Sequence, residues 1–158
     1  MGRSYIGIGS NIDNPIEQVR RAIDHLRSYG EVIAVSSLYR GTPWGTVKDQ
    51  PEFVNCVVLL QTHYSPHELL LKVKMAEREL GRLPSVRWGP RSIDFDILTY
   101  DDERINDPDF KVPHPHMHER AFVLVPLAEI DSGYAGMRDA LPQAERDSVR
   151  VASSEPEL

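Results

Sequence analysis

The spacing of apolar residues divides residues 4–100 into strands and helices. Alternating apolar and polar positions, or short runs rich in β-branched residues, predict four strands over 4–9, 31–40, 53–62 and 92–100. Apolar positions at helical spacing predict one helix between the first two strands and another between the last two. The order β-α-β-β-α-β predicts an α+β, ferredoxin-like core, in which helices cover one face of an antiparallel sheet.

Capping residues mark the predicted helix boundaries. Asn14, followed by proline, is the expected N-cap of the first helix, and Gly30 is its expected C-terminal stop. Ser65 and Glu68 form a capping box at the start of the second helix. After the core, we expect a C-terminal helical extension. The periodicity is weak beyond Ile130, and the last residues, about 153–158, are expected to form a frayed tail. No domain boundary interrupts the chain, and 1–158 is expected to form a single domain.

Composition then limits the class of protein. A chain of 158 residues with 41% hydrophobic and 27% charged residues has the composition of a soluble globular domain. The net charge of -6 argues against nonspecific nucleic-acid binding. The single cysteine, Cys56, excludes an internal disulfide and suits the reducing cytosol. No apolar run has the length of a membrane span and no signal-peptide pattern precedes the first strand, so we expect a cytoplasmic protein.

The strand over 92–100 carries two carboxylates on one face. Ile93, Phe95 and Ile97 alternate with Asp94 and Asp96. Same-side neighbours on a strand lie roughly 6.6 Å apart, so the two carboxylates repel each other unless a cation lies between them. Mg²⁺, which prefers oxygen ligands, fits this position. A solvated strand face remains the alternative for an Asp-x-Asp pattern taken alone.

Arginines immediately before this strand favour a ligand site over a solvated strand face. Arg82, Arg87 and Arg91 lie in the interval 80–93, which contains no acidic residue. Guanidinium groups match phosphate oxygens in forked geometry, and Gly89-Pro90 provides a turn that directs them towards the strand. The pattern predicts a local anion site on an otherwise acidic protein.

Two further stretches indicate a flat ligand. The loop over 41–46 is longer than a hairpin turn needs and contains Trp44, which either covers a ligand or folds back on the domain's own surface. Phe53 and Asn55 share a strand face, which suits a planar heterocycle; a rim aromatic beside a strand-end amide is the alternative. Lys74 and Glu77, on the second predicted helix, are expected to be solvated.

Two apparent motifs do not hold. Gly7-Ile8-Gly9 resembles the start of a dinucleotide fingerprint, but Ile12 occupies the place of the third glycine. His114, His116 and His118 alternate like metal ligands. Prolines interrupt this stretch, however, and no recognised zinc spacing is completed.

Several motifs together resemble one enzyme family. They are Gly9-Ser10-Asn11, Asp49-Gln50-Pro51, Phe53-x-Asn55, the run from Arg87 to Ile97, Val112-Pro113-His114 and Arg120-x-Phe122. From the first strand to about Ile130, the chain resembles the 6-hydroxymethyl-7,8-dihydropterin pyrophosphokinases. The resemblance implies transfer of pyrophosphate from ATP to the hydroxymethyl group of the reduced pterin, with release of AMP, in folate synthesis.

The resemblance also implies site residues, which fall into three groups. The catalytic group is Arg82, Arg91, Asp94 and Asp96, in which the two aspartates hold two magnesium ions. The ATP contacts are Glu77, Arg82, Arg87, Trp88, Arg91, Ile97, His114 and Arg120. The pterin contacts are Thr42, Pro43, Trp44, Phe53, Asn55, Asp94 and Phe122.

The chain departs from the family pattern at two positions. Pro84 stands where some members have a second loop arginine, and Pro115 stands where some have an aromatic residue. His116 and His118 take no role from the resemblance. No strong general base is evident, and metal coordination is expected to activate the hydroxyl while an aspartate or water takes its proton.

Two rival functions remain open at this stage. A phosphohydrolase would use the same metals on a phosphorylated heterocycle and release inorganic phosphate. A ferredoxin-like ligand-sensing domain would bind its ligand without metal. In each case the expected partners are small molecules, and a monomer is expected.

Overall fold

The computed structural model describes residues 1–11, 14–41, 52–81 and 93–153 of the chain. The strands within these ranges are β1 (Gly2–Ser10), β2 (Glu31–Val35), β3 (Leu38–Gly41), β4 (Phe53–Thr62), β5 (Asp94–Ile97), β6 (Ile105–Asp107), β7 (Phe110–Val112) and β8 (Val149–Ser153). The helices are α1 (Pro15–Leu26), α2 (Pro66–Leu80), α3 (Ala121–Ile130), α4 (Ala135–Asp139) and α5 (Gln143–Arg146), with single 3₁₀ turns at Met117–Glu119 and Ser132–Tyr134.

The main sheet is antiparallel and has the order β5-β1-β4-β3-β8, with β2 also paired to β4. The long β1–β4 ladder runs from Gly2 opposite Thr62 to Ser10 opposite Val54. The second predicted strand is split into β2 and β3 at Ser36, whose hydroxyl accepts the N–H of Val57 at 3.0 Å. A side-chain hydroxyl therefore takes part in the ladder at the break, a local competition typical of serine.

Helices lie on both faces of the sheet. α1 and α2 cover the face that carries Ile6, Ile8 and Phe95. α3 packs against β4 on the opposite face, where Val57 and Leu98 are buried. The α+β class is confirmed, and the two core helices, α1 and α2, cover one face of the sheet as predicted. The first helix of the C-terminal extension, α3, packs on the other face. The ferredoxin-like order remains a prediction, because the second strand is split and β8 joins the sheet.

The helix ends agree with the sequence in α2 and differ in α1. Ser65 and Glu68 form the predicted capping box. Asn14 adopts a left-handed conformation with φ 55° and makes no side-chain cap, and α1 ends at Leu26 rather than near Gly30. Gly30 is needed for another reason, since a Cβ there would collide with the carbonyl oxygen of Gln61. Close approach to β4, not helix capping, therefore requires this glycine.

The C-terminal segment contains a strand that the sequence pattern did not predict. β8 pairs antiparallel with β3 and includes Ser153, which was expected to begin the frayed tail; residues 154–158 lie outside the described ranges. Arg150 on β8 forms a two-pronged ion pair with Glu52, at 2.7 and 2.9 Å. After β5, β6 pairs antiparallel with β7 in a second, two-stranded sheet. None of the described helices has the length and apolarity needed to cross a bilayer.

Candidate functional site

A cavity of about 290 Å³ opens on the sheet face that α1 and α2 leave uncovered. It is bounded by β1, β4, β5 and the start of α3. Its lining comprises Gly7, Ile8, Gly9, Phe53, Asn55, Cys56, Asp94, Asp96, Leu98, Arg120, Phe122 and Val123. Six of these residues were predicted as site residues from the sequence: Phe53, Asn55, Asp94, Asp96, Arg120 and Phe122.

The floor of the cavity is set by strand register. Gly9 lies opposite Asn55 on one side and opposite Asp94 on the other. Gly7 lies opposite Asp96. Neighbouring strands are about 4.8 Å apart, so Asn55 and Asp94 stand roughly 10 Å apart in the backbone, with a residue that lacks a side chain between them. The two glycines therefore open a trough between an amide and a pair of carboxylates.

Gly9 and Gly7 differ in the space that is available for a side chain. A Cβ on Gly9 would lie 2.5 Å from Oδ1 of Asn55 and 3.8 Å from Cδ1 of Phe53. A Cβ on Gly7 would meet nothing closer than 3.8 Å, an ordinary contact. Asn55, which is 8% exposed, thus occupies the space above Gly9.

The start of α3 provides the wall opposite the floor. Arg120 precedes the helix and Phe122 is in its first turn. The guanidinium carbon of Arg120 lies 5.5 Å from the centroid of the Phe122 ring, within the range of a cation–π contact. A cation and an aromatic ring are therefore presented together above the carboxylates.

A buried glutamate holds the strand that carries the two aspartates. Glu77 on α2 accepts the backbone N–H of Phe95 through Oε2 at 2.8 Å, and Nζ of Lys74 lies 3.4 Å from its Oε1. Only 10% of its side chain is exposed, so the expectation of a solvated Glu77 was wrong. Because the N–H of Phe95 belongs to the Asp94–Phe95 peptide, this hydrogen bond holds the strand between the two aspartates.

His114 lies half-buried near Asp96, where its surroundings disfavour the protonated imidazole. Burial is the main cause that lowers its pKa below the ordinary 6.5, and Arg120 and His116 add to this, while Asp96 acts in the opposite direction. The backbone N–H of His116 donates to Nδ1 of His114 at 3.2 Å. An Nδ1 that accepts carries no proton, so the ring proton of neutral His114 is on Nε2.

The other two histidines of this stretch face a surface carboxylate. His116 and His118 lie 3.5 and 3.7 Å from oxygens of Glu119, and both are exposed. Within the described ranges, no three His, Cys, Asp or Glu side chains converge on a common point. Asp94 and Asp96 offer two carboxylates on the same strand face. This pair fits a metal that takes its remaining ligands from phosphates and water.

The other residues predicted for the site either lie away from the cavity lining or fall outside the described ranges. Ile97 has its side chain in the core on the helix-covered face, so only its backbone is available to a ligand. Glu77, Ile97 and His114 do not line the cavity. Seven predicted residues lie outside the described ranges: Thr42, Pro43, Trp44, Arg82, Arg87, Trp88 and Arg91.

The sequence reasoning missed part of the lining. Gly7 was considered only in a dinucleotide motif, and Gly9 only there and in Gly9-Ser10-Asn11. Their alternation on one strand was the available signal that no side chains cover this part of the sheet face. Cys56, Leu98 and Val123 carried no signal beyond their apolar character.

One cavity on an antiparallel sheet brings together two carboxylates, an amide and two aromatic rings, an arrangement suited to a planar heterocycle beside a charged group. Residues 5–132 match the family described as 7,8-dihydro-6-hydroxymethylpterin-pyrophosphokinase (HPPK). The chain belongs to this family.

Individual relatives agree with this placement. The chain is 42% identical over 131 residues to 2-amino-4-hydroxy-6-hydroxymethyldihydropteridine pyrophosphokinase of Aquifex aeolicus, covering 83% of this chain and 81% of that protein. It is 45% identical over 130 residues to the protein of the same name from Pseudomonas aeruginosa, covering 81% and 80%.

Structural similarity supports the fold. Wild-type Plasmodium falciparum HPPK-DHPS, solved with pterin and p-hydroxybenzoate, has a TM-score of 0.68 to this chain at 14% identity. The match covers 87% of this chain but only 42% of that one, so this chain spans less than half of the longer protein.

Proposed function

We propose that this chain transfers pyrophosphate from ATP to the hydroxymethyl group of 6-hydroxymethyl-7,8-dihydropterin and releases AMP, as a step of folate biosynthesis. Family membership supports the reaction. The observation that carries the proposal is that Asn55 and Phe53 face Asp94 across Gly9 in one cavity. A heterocycle seated at Asn55 places its substituent next to the carboxylates.

The pterin seat is proposed at the β4 side of the trough. Phe53 and Phe122 offer ring faces from the sheet and from α3, and Asn55 offers both a donor and an acceptor. Thr42, Pro43 and Trp44 are proposed to complete the seat.

The metal-binding wall is proposed at Asp94 and Asp96, which would hold two magnesium ions together with oxygens of the triphosphate. When bound, magnesium neutralises the polyphosphate and polarises its oxygens. The register that places both side chains on the cavity face fits this role. Glu77 supports it by fixing the intervening peptide, and a contact from Glu77 to the nucleotide is a further proposal.

Positive and neutral donors are proposed to bind the triphosphate. Arg120, at the cavity wall, supplies a permanent cation, and neutral His114 is able to donate its Nε2 proton to a phosphate oxygen. Arg82, Arg87 and Arg91 are proposed to close over the phosphates and exclude water, with Trp88 and the backbone of Ile97 contributing to the ATP site. Positioning and charge neutralisation are the main requirements of phosphoryl-group transfer, so no strong general base is needed.

We further propose that the protein acts as a cytoplasmic monomer on small molecules, without a nucleic-acid or membrane partner.

Product analysis tests the proposal. With ATP, Mg²⁺ and 6-hydroxymethyl-7,8-dihydropterin, we expect AMP to appear in a one-to-one ratio with pterin consumed. Accumulation of ADP would show an ordinary monophosphoryl kinase and contradict the proposal. Release of inorganic phosphate without an acceptor would indicate a phosphohydrolase, and pterin binding with no turnover and no effect of Mg²⁺ would indicate a ligand-sensing domain.

A further inference from the structure

A carboxylate from the C-terminal segment reaches the first peptide of α3. Oε2 of Glu145, on α5, accepts the backbone N–H of Ala121 at 2.9 Å, across 24 positions of the chain. Ala121 is fully buried and lies between Arg120 and Phe122, both of which line the cavity. The contact is therefore made at the Arg120–Ala121 peptide, one residue before Phe122.

The local sequence of α3 provides no cap of its own. Arg120 at the N-cap makes no side-chain hydrogen bond to the helix, and the first turn contains no acidic residue. The first N–H groups of a helix have no partner within it, and a negative charge near them is favourable. Glu145 supplies both a hydrogen bond and a negative charge from a distant segment.

The segment that carries Glu145 is anchored on both sides. Leu141, just before α5, is buried in the cluster that also contains Ala121, Val123 and Leu124. After α5, the hydroxyl of Ser148 donates to the carbonyl of Glu145 at 2.6 Å, and β8 then pairs with β3. The carboxylate is therefore held by packing and by the sheet, and this segment lies outside the family match at 5–132.

We infer that Glu145 is a positioning residue for the ligand seat: by holding the Ala121 peptide, it sets the placement of Phe122 and Arg120 over the two aspartates. This inference deepens the proposed function and rests on it for the identity of the ligand. Glu145 acts only through the backbone of α3 and does not line the cavity.

Three variants separate positioning from general stability. Glu145→Ala removes the acceptor and the charge, and Glu145→Gln removes the charge but keeps an acceptor oxygen. The matched control is Asp131→Ala, because Asp131 is the carboxylate at the other end of α3, where it accepts from the hydroxyl of Tyr5 and the N–H of Gly133, both at 2.9 Å. Asp131 does not line the cavity.

The first readout needs no ligand. The chain contains four phenylalanines, so fluorine NMR of protein labelled with fluorophenylalanine gives four assignable signals. We expect the Phe122 signal to shift or broaden in Glu145→Ala, to stay close to the parent in Glu145→Gln and to stay unchanged in Asp131→Ala. An unchanged Phe122 signal in Glu145→Ala would overturn the inference.

The second readout is pterin affinity by calorimetry, measured well below the unfolding temperature of each variant. We expect the Kd to rise about tenfold in Glu145→Ala, in line with loss of the hydrogen bond that holds the Ala121 N–H, and to stay within about threefold in Glu145→Gln, which keeps an acceptor oxygen, and in Asp131→Ala. Equal weakening in Glu145→Ala and Asp131→Ala would show a merely structural role, and equal weakening in Glu145→Ala and Glu145→Gln would show an effect of charge. Either result would overturn the inference.

The two proposals fail in distinguishable ways. If the parent binds no pterin, the proposed function is wrong, and the ligand-free Phe122 signal still decides whether Glu145 positions this ring.

Discussion

Replacement of the two floor glycines by alanine should have unequal effects. The added methyl of Gly9→Ala would lie 2.5 Å from Oδ1 of Asn55, well inside a normal contact, whereas that of Gly7→Ala would have 3.8 Å of clearance. Asn55 is nearly buried, so its amide has to turn away from the floor and loses its orientation towards the ligand.

The magnitude follows from what Asn55 gives up. One neutral hydrogen bond contributes about 1 kcal/mol, and crowding in a packed site costs about 1–3 kcal/mol. We therefore expect Gly9→Ala to weaken pterin binding by about 2–4 kcal/mol, a factor of roughly 30 to 900 in Kd. Gly7→Ala should change the Kd by less than about threefold, and alanine in an unstrained strand should leave stability unchanged or raise it by about 0.4–1 kcal/mol.

Calorimetric titration with the pterin, together with urea unfolding of both variants, checks this prediction. The control is ATP binding in the absence of pterin, which should stay near the parent in Gly9→Ala because the steric conflict is with Asn55. Similar pterin affinities in the two glycine variants would refute the reasoning. If Gly9→Ala fails to fold while Gly7→Ala folds, the clash between the new methyl and Asn55 is relieved by displacement of β1 rather than by rotation of Asn55.

The remaining predictions concern the carboxylates, the aromatic wall and the histidine. Asp94→Asn and Asp96→Asn should each fold normally but lower turnover by at least about a hundredfold, about 2.7 kcal/mol, in steady-state assays at saturating Mg²⁺. Phe122→Ala should weaken pterin binding by about 1–3 kcal/mol and ATP binding far less, as measured by calorimetry. Protonation of His114 should destabilise the ligand-free fold: with its pKa lowered, the unfolded chain takes up the proton first as pH falls through 6.5, so the unfolding free energy should decrease towards acid pH.

Each of these predictions has a control and a contradicting result. Asp102→Asn, on an exposed turn after β5, should keep parental turnover, and parental turnover in both active-site aspartate variants would place the metal elsewhere. Equal losses of pterin and ATP affinity in Phe122→Ala would exclude a dedicated pterin wall. An NMR titration that gives His114 a pKa at or above 6.5 would contradict its neutral state, and His114→Gln should show a weaker fall in unfolding free energy below pH 6.5.

Strand alternation was sufficient to group the main site residues. It placed Asp94 with Asp96 and Phe53 with Asn55, and each pair lies on the cavity face. It could not place the pairs relative to each other, because alternation within a strand does not encode the register between strands. The row from Asn55 through Gly9 to Asp94 depends on two ladders of β1.

The long-range contacts of Glu77 and Glu145 could not be predicted from local sequence patterns. The helical position of Glu77 was predictable, but its hydrogen bond to Phe95 depends on how α2 packs against β5. Glu145 lies in a segment of weak periodicity, and β8 beyond it has only Val149 and Val151 as large apolar residues. Pairing with β3, rather than local pattern, stabilises that strand.

The contact between Glu77 and Phe95 also protects the edge of the sheet. Among the strands of the described ranges, β5 is the terminal one on its side of the sheet, and exposed backbone groups on an edge strand invite pairing with another chain. Glu77 already occupies the N–H of Phe95, so an incoming strand would have to displace a largely buried carboxylate. With only four residues, β5 also offers a short template. Pairing of β5 with a strand of another chain is therefore disfavoured. This allows the two aspartates to lie on an edge strand.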